Sequence, residues 1–263
     1  MPEELGTILN AHSVQIRQLM PGSATAVFER LTSAQAIGEW LFAEVSFACE
    51  EGGQVVLKFS TPDPENDQLY CTRGLVSECV APRVIAYSWV EPSQNVYSHV
   101  TFQLEPDGAD QTWLQVTHTH LPAEFMAKVA AGWHTHLEVL AALLKGEKPP
   151  EFMPRYEELF KKYSVAIATS VIVVGAASPA MASTNDAAYK AINAQRQELL
   201  KKYDRIWKET DALKYQIDTL KRTSNTDTTR AQADLERELK YKIDDLKNIE
   251  RDVKDLDKSL IGT

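Results

Sequence analysis

The chain predicts an α+β domain at its front, in which an antiparallel sheet is closed by one long helix. An apolar helix and a charged helical hairpin follow it. Three observations carry this. Alternating apolar and polar runs separated by turn residues recur through residues 45–120. A single amphipathic stripe fills 122–144. Heptads begin at Tyr189 and resume after a polar break.

Taken in order, Ser13–Leu19 (SVQIRQL) alternates as a half-buried strand does, and Pro21-Gly22 ends it. Ser23 caps a helix through Leu31 with Val27, Phe28 and Leu31 inward. A second short helix runs from Ser33 to Leu41. Strands follow at 45–47 and 55–59, with Gly52-Gly53 between them. A polar, Pro-rich loop then leads to strands at about 70–80, 83–91, 97–105 and 111–120. Ala81-Pro82, Glu91-Pro92 and Pro106-Asp107-Gly108 are the turns. Short turns between successive strands imply an antiparallel meander. From Pro122 to Leu144, Phe125, Val129, Trp133, Leu137, Leu140 and Leu144 recur at three and four. Gly146 and Pro149-Pro150 end that helix.

This order, with LTSAQAIGEWLF early, RGLV and RVIAYSWV in mid-sheet and AAGWHTHLEVLAALLKG at the end, resembles the START-like (SRPBCC) helix-grip superfamily. Within it, the likeness is to the family related to the activator of the 90-kDa heat-shock-protein ATPase. It covers about residues 10–146 and rests on structural marks: Leu31-Thr32, Trp40, Gly74, Trp89 and Gly132-Trp133. The resemblance implies a sheet wrapped around the long helix with an apolar cavity between them. It also implies a module that binds a hydrophobic small molecule or serves a chaperone. Polyketide cyclases are related, but no catalytic signature transfers, so no catalytic residue, cofactor or metal is assigned.

The candidate pocket residues are Trp40, Tyr87, Trp89, Phe102, His118, Trp133 and His136. Ligand pockets are mostly apolar with a few polar anchors; the same aromatics also serve as plain core. Tyr87 and Trp89 share strand parity with Ile85. His118 and His120 lie two apart on a strand, on the parity of Leu114 and Val116, which faces the helix. His134 and His136 lie two apart on a helix and point away from each other, which leaves His134 on the surface. Imidazoles suit zinc, but no carboxylate or cysteine stands at diagnostic spacing beside them.

Charge divides the chain. Residues 1–163 hold 11 Lys/Arg against 21 Asp/Glu, whereas 164–263 hold 17 against 16. An acidic front domain lacks the clustered cations that nucleic acid requires. The three cysteines, Cys49, Cys71 and Cys79, have no CxxC spacing. Their odd count predicts neither a disulfide frame nor a zinc site, and reduced thiols suit a cytoplasmic front domain.

The predicted organisation is a front domain at 1–150, a linker at 151–163, an apolar segment at 164–182 and a coiled-coil hairpin at 184–263. The apolar segment carries no charge across 19 residues. As a helix it would be roughly 28 Å long, near the ~30 Å of a bilayer core. Lys161-Lys162 before it and Ala180-Met181-Ala182 at its end also have the form of a secretory signal with a cleavage site. The expectation is a single membrane span with the front domain cytoplasmic and the hairpin across the membrane. A buried helix of a cytoplasmic protein is the alternative.

In the hairpin, Ile192, Leu199, Ile206, Leu213 and Leu220 form one heptad position and Arg196, Tyr203, Thr210 and Ile217 the other. After residues 223–229, Leu239, Leu246, Val253 and Leu260 pair with Leu235, Lys242, Ile249 and Leu256. Such a seam needs a partner: the other arm, a second copy or another protein. A structural envelope protein with a vestigial front domain, or a START-family enzyme, are the competing functional readings.

Overall fold

A computed structural model of the chain describes residues 5–10, 12–59, 71–91, 96–174, 186–222 and 228–261. The chain divides into two units, Met1–Ala182 and Ser183–Thr263.

The front unit is built on an eight-stranded antiparallel sheet. Its strands are β1 (Thr7–Asn10), β2 (Ser13–Pro21), β3 (Ala43–Phe47), β4 (Gln54–Phe59), β5 (Cys71–Val80), β6 (Val84–Glu91), β7 (Val96–Pro106) and β8 (Gln111–Thr119). They lie in the order β1-β2-β8-β7-β6-β5-β4-β3. The meander from β3 to β8 therefore matches the turn-by-turn reading, and β2 joins its far edge by pairing with β8, Ile16 opposite Val116. Strand β1 was not foreseen.

Helices α1 (Ala24–Thr32) and α2 (Ala34–Leu41) bridge β2 and β3. Ser23 caps the first, its Oγ accepting from Ala26 N–H. Ser33 caps the second in the same way, from Ala36 N–H. Phe42 then turns the chain with φ 56°. After a 3-10 turn at Ala123–Phe125, α3 (Met126–Lys145) lies across the sheet and ends on Gly146 with φ 70°. Trp133, Leu137 and Leu140 of its predicted stripe are buried. So are Ala131, Thr135 and Val139, which the stripe leaves out.

The second buried side of α3 has a cause. Residues 151–163, expected as a linker, are the first half of α4 (Phe152–Val174), which packs on α3. Leu159 and Tyr163 are fully buried in the front unit's core, and Ile167 packs against it. Arg155 grips Glu138 of α3 with Nε 2.8 Å from Oε2 and Nη2 2.6 Å from Oε1. The Tyr163 hydroxyl accepts from Gly6 N–H at 2.8 Å and bonds His134 Nδ1 at 3.1 Å. His134, expected at the surface, is thereby buried.

The membrane span is overturned. Among the described residues no helix is long and apolar enough to cross a bilayer. The apolar run continues a helix whose first half carries Arg155, Glu157, Glu158, Lys161 and Lys162. The Ala180-Met181-Ala182 pattern lies outside the described residues.

Cys49 and Cys79 are joined as a disulfide, against the expectation of none, with Cα atoms 6.1 Å apart; Cys71 is free. The register explains the meeting. The turn after β3 is bonded to β5 through Gly52 N–H to Val76 O and Val76 N–H to Gly53 O, and this brings Cys49 beside the end of β5.

In the second unit, α5 (Asp186–Arg222) and α6 (Thr228–Ile261) pack on each other. Tyr203 meets Glu250, Glu209 meets Lys242 and Lys221 meets Glu236, so the pair is antiparallel. The buried seam of α5 takes Arg196, Tyr203, Thr210 and Ile217 from one predicted heptad position and Ile206 and Leu213 from the other. Trp207, outside both heptad positions, is fully buried beside it.

Gly74 sets the fit of β5 to β6. A Cβ there would overlap the Ser88 carbonyl oxygen, while Leu75 N–H donates to Ser88 Oγ at 2.8 Å. Gly74→Ala should force the two strands apart and cost about 1–3 kcal/mol. A thermal melt would show a clearly lowered Tm; an unchanged Tm would mean the sheet accommodates the methyl.

Candidate functional site

Two chambers open between α3 and the middle of the sheet. The larger, about 260 Å³, is lined by Trp89, Glu91, Val96, Ser98, His118, Leu121, Phe125, Lys128 and Val129. The smaller, about 170 Å³, is lined by Leu41, Phe59, Trp89, Glu91, His118, Val129, Gly132, Trp133 and His136. They share Trp89, Glu91, His118 and Val129, and so form two lobes of one cleft.

Of the residues singled out by sequence, Trp89, His118, Trp133 and His136 line this cleft. Trp40, Tyr87 and Phe102 sit behind it. Trp40 donates from Nε1 to Arg30 O at 3.0 Å and packs edge-on to Phe102 at 6.5 Å. Tyr87 stacks on Phe102 at 6.1 Å, and burial pushes its hydroxyl pKa up. These three form the floor on which the cleft aromatics rest: Phe102 meets Trp133 at 5.5 Å. His120 leaves the face expected for it. β8 stops at Thr119, and His120 turns to φ 61°.

The central imidazole is committed on both sides. Trp133 Nε1–H donates to His118 Nδ1 at 2.9 Å. An indole nitrogen only donates, so Nδ1 is the acceptor and the proton sits on Nε2. That Nε2–H donates to Ser98 Oγ at 2.8 Å, and the Ser98 hydroxyl in turn donates to Trp89 O at 3.1 Å. A directional chain thus runs from helix to sheet and uses both nitrogens of a neutral ring. Burial holds the His118 pKa down at about 3. His136 donates from Nδ1 to Trp40 O at 2.9 Å, and burial lowers its pKa to about 4. Its ring lies 4.6 Å from that of Phe152 at the start of α4. Among the described residues no group of His, Cys, Asp or Glu is arranged to hold a metal ion.

Glu91 was missed by the sequence reading. It takes the Trp89 Nε1–H at 2.8 Å and a further bond from Thr72. Burial raises its pKa, against those two bonds. The signal was available: Glu91 continues the parity of Tyr87 and Trp89 at the end of the strand. Phe59 packs 6.2 Å from Trp89 on the other side.

Residues 22–145 match the family described as Activator of Hsp90 ATPase homolog 1-like protein. Among solved structures, a protein from Bordetella parapertussis is 29% identical with a TM-score of 0.50, covering 62% of this chain and 90% of its own. CalU16 from Micromonospora echinospora is 25% identical with a TM-score of 0.48, covering 59% and 88%. No curated protein matches the chain. With its sheet and long helix, the front unit is similar to the START-like helix-grip proteins over the matched residues. The match leaves the helical pair unassigned.

The buried histidine makes the front unit acid-sensitive. The unfolded imidazole takes a proton near 6.5, but folded His118 takes one only near 3. The unfolded state therefore binds more protons between those values. The stability from His118 is complete above pH 6.5 and is lost as pH falls toward 3. His134 and His136, each lowered to about 4, act the same way; Glu91 and Glu138, both raised, act oppositely. Melting wild type and His118→Gln from pH 7 to 4 isolates the one ring. The variant's Tm should fall less steeply, and parallel profiles would rule the effect out.

Proposed function

We propose that the front unit is a non-catalytic binding module whose cleft takes an apolar small molecule. The observation that carries this is the pair of chambers meeting at Trp89, walled by Phe59, Trp133, Val129 and Leu121, with Glu91, Ser98, His118, Lys128 and His136 as polar points in the lining. Apolar walls with isolated polar anchors are the usual makeup of such sites. A catalytic role for His118 fits poorly, because its acceptor nitrogen is filled by Trp133 and its proton is held by Ser98. A general base needs a free lone pair within reach of substrate.

The family match favours a second reading, in which the front unit associates with a 90-kDa heat-shock protein and stimulates its ATPase. The helical pair would be a separate interaction region, with Tyr215 and Tyr241 exposed on its surface.

The ligand reading is tested by melting the full chain with a panel of small apolar compounds. A ligand at one hundred times its Kd stabilises by about 2.7 kcal/mol. Trp89 and Trp133 should report binding by fluorescence. A Cβ on Gly132 meets nothing within 4 Å, so Gly132→Val should narrow the smaller chamber and weaken binding while Tm without ligand holds. No stabilisation across the panel would refute the reading. For the second reading, adding the chain to a 90-kDa heat-shock ATPase should raise its turnover, and an unchanged rate would dismiss it.

A further inference from the structure

Glu91 is out of place in an apolar cleft, and its surroundings say what it is for. It stands where the two chambers meet and lines both. Its partners, Trp89 and Thr72, are neutral donors. A carboxylate can accept about four hydrogen bonds, so two donors leave capacity unused. Among the described residues no lysine or arginine pairs with it. The stretches 60–70, before β5, and 92–95, directly after Glu91, contain neither residue type in the sequence. The titratable groups lining the same cleft do not neutralise it. His118 and His136 are kept uncharged by burial, and Lys128 places its ammonium 5.7 Å from the centre of the Phe125 ring. A partly buried carboxylate without a cation is costly, and a cation brought beside it offsets that cost.

The walls favour the same charge. Trp89, Trp133 and Phe59 surround the smaller chamber. Aromatic faces attract cations, Trp most strongly. At about 170 Å³ the chamber is close to the ~150 Å³ apolar cavity known to accept benzene. One ring or a short alkyl group fits there; a long lipid chain does not.

We infer that the cleft selects a small organic cation, an apolar ring or short chain bearing an ammonium group, with the ammonium seated on Glu91. This rests on the reading of the cleft as a ligand site and narrows it to one chemical class.

The test uses the full chain and three near-isosteric probes at neutral pH, measured by calorimetry: 2-phenylethylamine, 2-phenylethanol and phenylacetate. The amine should bind at least about tenfold more tightly than the alcohol, as expected for a hydrogen bond to a charged group, and phenylacetate should bind weakest. Glu91→Gln should bring the amine to the level of the alcohol and leave the alcohol unchanged. Equal binding of amine and alcohol would overturn the cation preference while leaving the apolar site standing. Tightest binding by phenylacetate would overturn it in favour of Lys128 as the anchor. An amine preference that survives Glu91→Gln would overturn the role of Glu91. Binding of none of the three, with apolar compounds in the wider panel still stabilising the chain, would overturn the inference alone; silence in both would remove the ligand site as well. Should Glu91→Gln fail to fold, the order of the three probes on wild type still decides.

Discussion

A neutral imidazole joins helix to sheet at the centre of the front unit. Trp133 donates to one side of His118, and the other side donates to Ser98, which in turn donates to the backbone of Trp89. Each group in the series has its donor and acceptor used, so a polar link crosses an apolar core without an orphan. The cleft depends on this link. It holds Trp133 on the helix and Trp89 on the sheet with ring centres 5.7 Å apart, and chambers open on both sides of Trp89. Charging the ring would break the Trp133 bond, because protonated Nδ1 could no longer accept.

The back of the long helix is closed just as firmly. Helix α4 contributes Leu159 and Tyr163 to the core, and its Arg155 forks onto Glu138. Tyr163 ties the segment before β1 and His134 into the same layer. Phe152 lies against His136, which itself lines the smaller chamber. The region after residue 145, where the family match ends, therefore reaches the wall of the candidate site. Within the apolar run that suggested a bilayer partner, Ile167 packs on the protein's own core while Val165 stays exposed.

The helical pair follows a different rule. Its buried seam accepts Arg196 and Thr210 alongside Tyr203, Trp207 and Ile217, while Leu199 and Leu220 are only half covered. A two-helix interface is narrow, so side chains are buried by their angle to the partner helix rather than by hydrophobicity. Ion pairs such as Lys242–Glu209 flank the seam at its edge, where exposure makes them worth little individually.

Local pattern alone determined much of the front unit. Alternation and turn residues marked β2 and the six strands from β3 to β8; Ser23 and Ser33 marked helix starts; the three-and-four spacing through Trp133, Leu137 and Leu140 marked α3. These are properties of a few consecutive residues, and backbone periodicity imposes them wherever the chain goes. Strand parity placed His118 toward the helix for the same reason. Tertiary structure alone decided what a periodic stripe packs against. Leu159 and Tyr163 look like ordinary linker residues by composition, and only the arrival of α4 beside α3 buries them in the core. Cys49 and Cys79 lie 30 residues apart and meet because β5 is bonded to the turn after β3. His134 is buried, and Glu91 sits at the junction of two chambers, through neighbours distant in sequence. Burial and the pKa shifts that follow are set by every chain segment that arrives at a point in space, and one segment's pattern does not contain the others.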